Sequence, residues 1–579
     1  MAASWLLQAI YTSLLTSVAN LGGPSSGLGE DTSTPSDQAT LYSVLANTTS
    51  GVLRGKIDSS SQPTIFRYLG VPFARPPIGD LRFQAPVPAV PWAGVKDAFA
   101  VSPQCWQPDY SPMVSLLDNS EDCLYLNIYT PARDSSAGLL PVMVWIHGGG
   151  YFLGTGSTYN GTKLARQGGV VVVTINYRLG VFGFLSTEDS TMPGNYGLLD
   201  QIQAIKWVRD NIANFGGDPN SVTIFGQSAG SSSVSLLMLS PLAKGLFHRA
   251  IMESGVSLAL WAHVYPTQRL SPVYGARTIG AANGCTHIFG NSDLFASCLR
   301  GVNASALVDA ASDVFSVTEY LWLQPRVEKI FGVLPANPLE LLADGEFNHV
   351  DTIRGFNIHE NGDVKLRNGT ISVTSKQLFV ELMRNALKPY AIAGVDNLLQ
   401  RFTDVYLGNT TDSDFIVRQA SEAYSDLMFA SPTVAELDLV TSKSQGTRHY
   451  LYRYDYRDSF STMPSWISAM HGDELKHVFG MDQLDFPSLG LNNVTKTSED
   501  VAMTRRMMDM WTSFAKTGNP TLSNSRSRWT PSTSARRWMM SIKTAAKLTE
   551  FSRSNVVDLF KEILQIFYGR PPSSANIIG

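Results

Sequence analysis

Ser228 stands between two glycines in Gly226-Gln-Ser-Ala-Gly230, directly after the β-branched and aromatic run Val222-Thr-Ile-Phe225. A serine hydroxyl becomes a useful nucleophile only when a base takes its proton, and a sharp strand-to-helix turn lifts it above a sheet, where a base can reach it. The glycines permit the close backbone approach that such a turn requires. An ordinary Gly/Ser loop also fits these five residues taken alone. The buried strand before them and the apolar pattern after them (Val234, Leu236, Leu237, Leu239) supply the setting of a nucleophile elbow.

A second chemical feature follows the apolar run Pro141-Val-Met-Val-Trp-Ile146, which leads straight into His147-Gly-Gly-Gly150. Three glycines leave backbone N–H groups unshielded. Such donors can hold the oxygen that turns negative when a nucleophile adds to a carbonyl, and losing one typically costs about 2.7–4 kcal/mol of transition-state stabilisation. A flexible loop is the plainer reading. A phosphate cradle is a sharper rival, but neither Gly-x-x-x-x-Gly-Lys-[Ser/Thr] nor a Gly-x-Gly-x-x-Gly opening a helix occurs.

These turns need elements to hold them. Gly169-Val-Val-Val-Val-Thr-Ile-Asn-Tyr177 predicts another buried strand. Leu198, Ile202, Ile205, Val208 and Ile212 recur at helical spacing and predict a helix from Leu198 to Phe215, stopped by Gly216-Gly217 and Asp218-Pro219. Farther upstream, Phe66 to Phe83 reads as a short strand against a proline-stiffened turn. Strands alternating with helices predict an α/β fold with a large, mostly parallel sheet covered by helices, and ligands bind at the carboxyl ends of such strands. Both Gly-rich turns fall there.

At 579 residues and 44% hydrophobic content, the chain can bury a large core, as several domains or as one α/β enzyme with insertions. A net charge of -4 leaves no electrostatic footprint for nucleic acid. The apolar run Trp5 to Leu15 followed by Ser17-Val-Ala19 predicts a secretory signal over residues 1–19; its start lacks Lys and Arg, and a buried N-terminal helix is the alternative. Residues 20–40, rich in Gly, Ser, Pro and Thr, read as a loose segment. Six Asn-x-Ser/Thr sites, Asn47, Asn160, Asn303, Asn368, Asn409 and Asn493, favour an extracellular, glycosylated product. No later run is long enough to span a bilayer, and the C-terminus carries no hydrophobic tail, so no membrane anchor is expected.

Four cysteines allow three pairings. The sequence-local ones, Cys105 with Cys123 and Cys285 with Cys298, are expected, each closing a loop for about 3 kcal/mol. A zinc site fits poorly, since Cys-x-x-Cys and His-Glu-x-x-His are both missing; neither metal nor cofactor is called for.

Together these residues resemble the type-B carboxylesterase/lipase family, the α/β-hydrolases that include cholinesterases. The matching segments are Glu121-Asp-Cys-Leu-Tyr-Leu-Asn127, Trp145-Ile-His-Gly-Gly-Gly150, Asn195-Tyr-Gly-Leu-Leu-Asp200, Phe215-Gly-Gly-Asp-Pro219 and Gly226-Gln-Ser-Ala-Gly230. The likeness runs from about Tyr42 to the C-terminus and is strongest from Glu121 to Gly255. It implies one α/β-hydrolase catalytic domain over residues 41–579, in a secreted, fungal-type member. It also implies an acid and a histidine downstream of the serine, in that order. Gly355-Phe-Asn-Ile-His-Glu360 is similar to the family's acid loop and points to Glu360, although Asn361 stands where the family often has glycine. Ala469-Met-His-Gly-Asp-Glu-Leu475 is similar to its histidine loop and points to His471. The resemblance further implies that Gly149, Gly150 and Ala229 supply the oxyanion N–H groups. Ser254 matches a family serine near the histidine, with a buried structural role equally open. Of the other histidines, His359 precedes the acid, His449 opens a strand as a packing or edge residue, and His477 reads as a helix-face residue.

The expected activity is hydrolysis, through an acyl-enzyme, of uncharged small-molecule or lipid esters with an apolar part, with an interfacial lipase as the alternative. Two departures argue against a cholinesterase: Gln227 replaces the glutamate before the nucleophile, and the Cys105–Cys123 loop is short, with Trp106 beside its first cysteine. A non-catalytic binding protein on the same scaffold is the rival from another class, and it would be expected to lack the serine or the histidine. Oligomeric state is left open by the sequence.

Overall fold

The computed structural model describes residues 43–568 apart from 109–116, 133–137, 319–322, 363–364, 367–370, 391, 393, 481–494 and 523–526. The signal and loose segment expected over residues 1–40, and the sites at Asn368 and Asn493, lie outside the described residues.

The apolar runs form strands, as their composition requires. The main ones are β1 (Ser43–Thr48), β2 (Gly51–Asp58), β3 (Ile65–Pro72), β4 (Tyr125–Pro131), β5 (Leu140–Ile146), β6 (Val171–Ile175), β7 (Gly217–Gln227), β8 (Arg249–Glu253), β9 (Asp351–Asn357), β10 (His449–Tyr454), β11 (Trp538–Ile542) and β12 (Lys547–Glu550). They share one sheet in the order β1-β2-β3-β4-β6-β5-β7-β8-β9-β10-β11-β12, with the short strand Val95–Asp97 beside β2. From β6 to β11 every neighbouring pair is parallel. The flanking strands β1 to β4 and β12 pair antiparallel.

Continuous rather than alternating hydrophobicity in β5 and β6 follows from burial on both faces. Val142, Val144, Ile146, Val171, Val173 and Ile175 pack with α1 (Tyr196–Asn211) and α2 (Ala229–Leu239) through Leu198, Ile202, Ile205, Val234 and Leu237. Met143, Trp145 and Val172 point the other way, into a second core with Phe225, Ile251 and Ile353. After α3 (Ser413–Ser425) and α4 (Ser431–Lys443), joined by a π turn at Asp426–Ala430, the helix α5 (Ser498–Thr517) closes that core with Met503, Met507, Trp511 and Phe514. The result is a helix-sheet-helix sandwich of the α/β-hydrolase type. No helix of the described residues is long and apolar enough to cross a membrane.

Two boundaries differ from the sequence reading. The helix predicted to Phe215 ends at Asn211, because the Asn211 side chain donates to Trp207 O (2.9 Å) and accepts from Thr49 N (2.7 Å); one 3-10 turn then carries the chain to Gly216. β7 begins at Gly217 rather than Val222. Gly217 pairs with Leu140, and a register shift absorbs Asp218-Pro219 before Val222 meets Val142.

Both local disulfides are formed, Cys105–Cys123 and Cys285–Cys298. Replacing Cys285 and Cys298 together with serine is expected to lower unfolding stability by about 2–4 kcal/mol, read from the midpoint of a denaturant titration.

Candidate active site

β7 delivers Ser228 at its carboxyl end, and α2 departs from the next residue. The serine takes φ 57° and ψ -125°, a strained conformation that clusters at functional sites, and its N–H donates to Glu253 O at 2.9 Å. The flanking glycines are required by packing. A Cβ on Gly230 would lie 2.0 Å from Ile146 O, and one on Gly226 would lie 2.6 Å from the Gly230 carbonyl carbon. The end of β5 therefore presses directly on the elbow.

That same strand end carries the triple-glycine turn. A Cβ on Gly148 would come within 3.1 Å of Ser228 Cβ, so the two turns are in contact. Gly149 O accepts from Phe152 N (3.1 Å) and Leu153 N (2.9 Å), which folds the loop back on itself. The N–H groups of Gly149 and Gly150 have no acceptor among the described residues. Ala229 is the first residue of α2, outside the helix's own ladder and at the positive end of its dipole. His147 stiffens the turn: its Nδ1 donates to Gly148 O (2.8 Å), and its ring stacks 4.4 Å from that of Tyr177, whose hydroxyl donates to His147 O (2.9 Å). Burial pushes the His147 imidazole down to about 4, so it is neutral at physiological pH.

Glu360 lies in the turn after β9 and His471 in the loop after β10, next to β9 in the sheet. Glu360 Oε1 accepts from Asn357 N at 2.6 Å, and Oε2 lies 2.7 Å from His471 Nδ1. A second tie runs from His471 N to Glu360 O at 3.2 Å. A carboxylate only accepts, so Nδ1 carries the proton and the neutral ring keeps its lone pair on Nε2. That nitrogen lies 3.1 Å from the side-chain amide of Gln227, the neighbour of Ser228. The Ser228 hydroxyl makes no hydrogen bond with any described residue. The ring of Phe429, carried on the π turn, packs 4.8 Å from the imidazole and covers one side of it.

His359, His449 and His477 make their contacts away from the serine. His359 Nδ1 accepts from Ser468 N at 3.2 Å, and its ring meets Trp466. His449 lies in β10 between two strands and so is not an edge residue; its Nδ1 pairs with Thr352 Oγ1 at 2.9 Å. His477 sits on a short helix but is buried, not on an open face, between Asp458 and Thr504 at 2.8 Å each. Ser254 is buried at φ 56°, and its hydroxyl has no partner among the described residues. Asn47, Asn303 and Asn409 are exposed and Asn160 is half-buried.

Sequence reasoning missed a carboxylate cluster behind the histidine. Glu253 and Glu474 are wholly buried; Glu253 accepts from Trp511 Nε1 at 2.9 Å, and Glu474 accepts from the Asn357 amide, which also donates to Met470 O at 2.6 Å. Burial, with repulsion from Glu474, pushes Glu253 well above the usual carboxylate range, and burial, with repulsion from Glu360, pushes Glu474 up to about 7. Both sit in recognised segments, next to Ser254 and three residues after His471, and that adjacency was the available signal.

These shifts make stability depend on pH in opposite directions. A carboxyl raised by folding stabilises while protonated, and for Glu474 that contribution is full below the ordinary value of 4.5 and is lost as pH rises from there through about 7. A histidine lowered by folding stabilises while neutral, and His147, lowered from 6.5 to about 4, loses its contribution as pH falls through that window. His263 and His449, each lowered to about 3, act in the same direction. Between about pH 4.5 and 6.5 the two trends oppose each other, so in thermal unfolding from pH 4 to 9 Glu474→Gln should steepen the rise of Tm across that window and leave the shape of the curve above about pH 7 unchanged.

Comparison with known proteins adds an independent line. The model of a family described as the carboxylesterase family matches residues 43–560. Liver carboxylesterase of Sus scrofa is 39% identical over 543 residues, covering 89% of this chain and 90% of that protein. Carboxylesterase 1E of Rattus norvegicus is 39% identical over 517 residues (82% and 86% coverage), and carboxylesterase 1D of Mus musculus is 38% identical over 506 residues (82% and 86%).

Proposed function

The chain belongs to the carboxylesterase family and is a serine ester hydrolase, and from that premise we propose that Ser228, His471 and Glu360 carry the reaction, with Gly149, Gly150 and Ala229 binding the oxyanion. The observation that supports this reading most directly is the 2.7 Å Glu360–His471 contact, lying beside the strained serine turn, which the triple-glycine turn touches.

In this mechanism Ser228 Oγ adds to the ester carbonyl while His471 Nε2 takes its proton, and the N–H groups hold the new oxyanion. Collapse breaks the C–O bond to the alcohol, which leaves with the proton from His471. Water then adds to the acyl-serine, giving its proton to His471, and the carboxylic acid departs as that proton returns to Ser228. Glu360 fixes the tautomer and balances the imidazolium.

The substrates are uncharged esters with an apolar portion, small molecules or lipids, processed by one catalytic domain over residues 41–579. The two disulfides and the signal-like first residues support secretion, with glycans on the exposed Asn47, Asn303 and Asn409. Initial rates on p-nitrophenyl esters of rising acyl length test the class. They should be greatest for short to medium chains, with no jump once the substrate exceeds its solubility. A jump, with a preference for long chains, would make the protein an interfacial lipase.

A further inference from the structure

The lone pair on His471 Nε2 has a partner in the resting protein, and that partner is not the serine. Nε2 lies 3.1 Å from the amide nitrogen of Gln227, while Ser228 Oγ is unbonded among the described residues. The orientation of the amide follows from chemistry. Glu360 fixes the proton on Nδ1, so Nε2 can only accept, and an amide carbonyl turned toward it would set lone pair against lone pair. Gln227 therefore donates.

The amide is also seated. Gln227 is 5% exposed. Gly472, at φ 81°, brings the backbone after His471 over it, with its Cβ position 3.7 Å from Gln227 Nε2. On the other side, a Cβ on Gly148 would fall 2.9 Å from Gln227 Oε1. Two side-chain-free positions, one in the histidine loop and one in the oxyanion turn, thus leave a slot between them for this amide.

We propose that Gln227 is a latch on the general base: its N–H occupies the site on His471 to which Ser228 must give its proton, and acylation proceeds only after the amide lets go. The inference rests on Ser228 as nucleophile and adds a gating residue to that reading. One neutral hydrogen bond broken on the way to the transition state corresponds to about two- to tenfold in rate. Gln227 would be a positioning residue whose ground-state contact slows the step it adjoins.

The test is the second-order rate of labelling by diethyl p-nitrophenyl phosphate, with the label located by mass spectrometry, in the wild-type protein, Gln227→Met and Gln227→Ala. Methionine keeps the volume without an N–H; alanine removes both. Labelling of Ser228 about two- to tenfold faster in both variants, with Tm no higher than wild type, is the expected result. A residue that merely packs would slow labelling in Gln227→Ala, with Gln227→Met restoring it. Equal or slower labelling at Ser228 in either folded variant overturns the latch and leaves the hydrolase reading intact. An unlabelled Ser228 in the wild-type protein overturns both.

Discussion

Ser228→Ala is expected to lower kcat on p-nitrophenyl esters by on the order of 10⁶, leaving residual turnover of the kind that oxyanion donors and substrate binding provide by themselves. The hydroxyl is the atom that forms and breaks the acyl bond, and no neighbour in the elbow can replace it. The fold should be indifferent to the change. Ser228 Oγ makes no hydrogen bond with any described residue, and alanine differs only by that oxygen, so the variant should unfold within about 0.5 kcal/mol of the wild type. Steady-state kinetics together with a denaturant titration separate the two effects. A loss of turnover accompanied by a comparable loss of stability would make the hydroxyl structural.

Glu360→Gln is expected to reduce kcat by about 10⁴ at nearly constant substrate affinity. The carboxamide keeps the shape of the side chain but can turn an N–H toward His471 Nδ1. The ring would then carry its proton on Nε2, and the lone pair that accepts from Ser228 would be lost. The substitution also removes one of the three acids buried together here, Glu253, Glu360 and Glu474. Glu474 is held high partly by repulsion from Glu360, so its carboxyl should ionise at lower pH in the variant, which a pH series of Tm would report.

Much of this was legible in the chain. Unbroken runs such as Val142–Ile146 and Val171–Ile175 declare strands covered on both sides, and the elbow and triple glycine mark the strand ends where chemistry is possible. Glu360 and His471 were reachable only through family likeness, because nothing local distinguishes an acid in a turn from any surface glutamate. The carboxylates at Glu253 and Glu474 escaped notice because the charge of a buried group depends on neighbours far along the chain. Gln227 was noticed as a departure from the cholinesterases, yet its contact with a ring 244 positions away required coordinates. Helix ends erred where a side chain, such as Asn211, intercepts the backbone.

The strand order carries a consequence for how the protein comes to be active. Glu360 and His471 are 111 residues apart, and the elbow lies on β7, separated from β9 by β8. No two of the three are close in sequence, so loop closures over long chain separations must precede the site. Turnover should therefore reappear only in the last phase of refolding, after helical circular dichroism has largely recovered. A protease nick between β9 and β10 before that point would leave a chain rich in secondary structure and without activity.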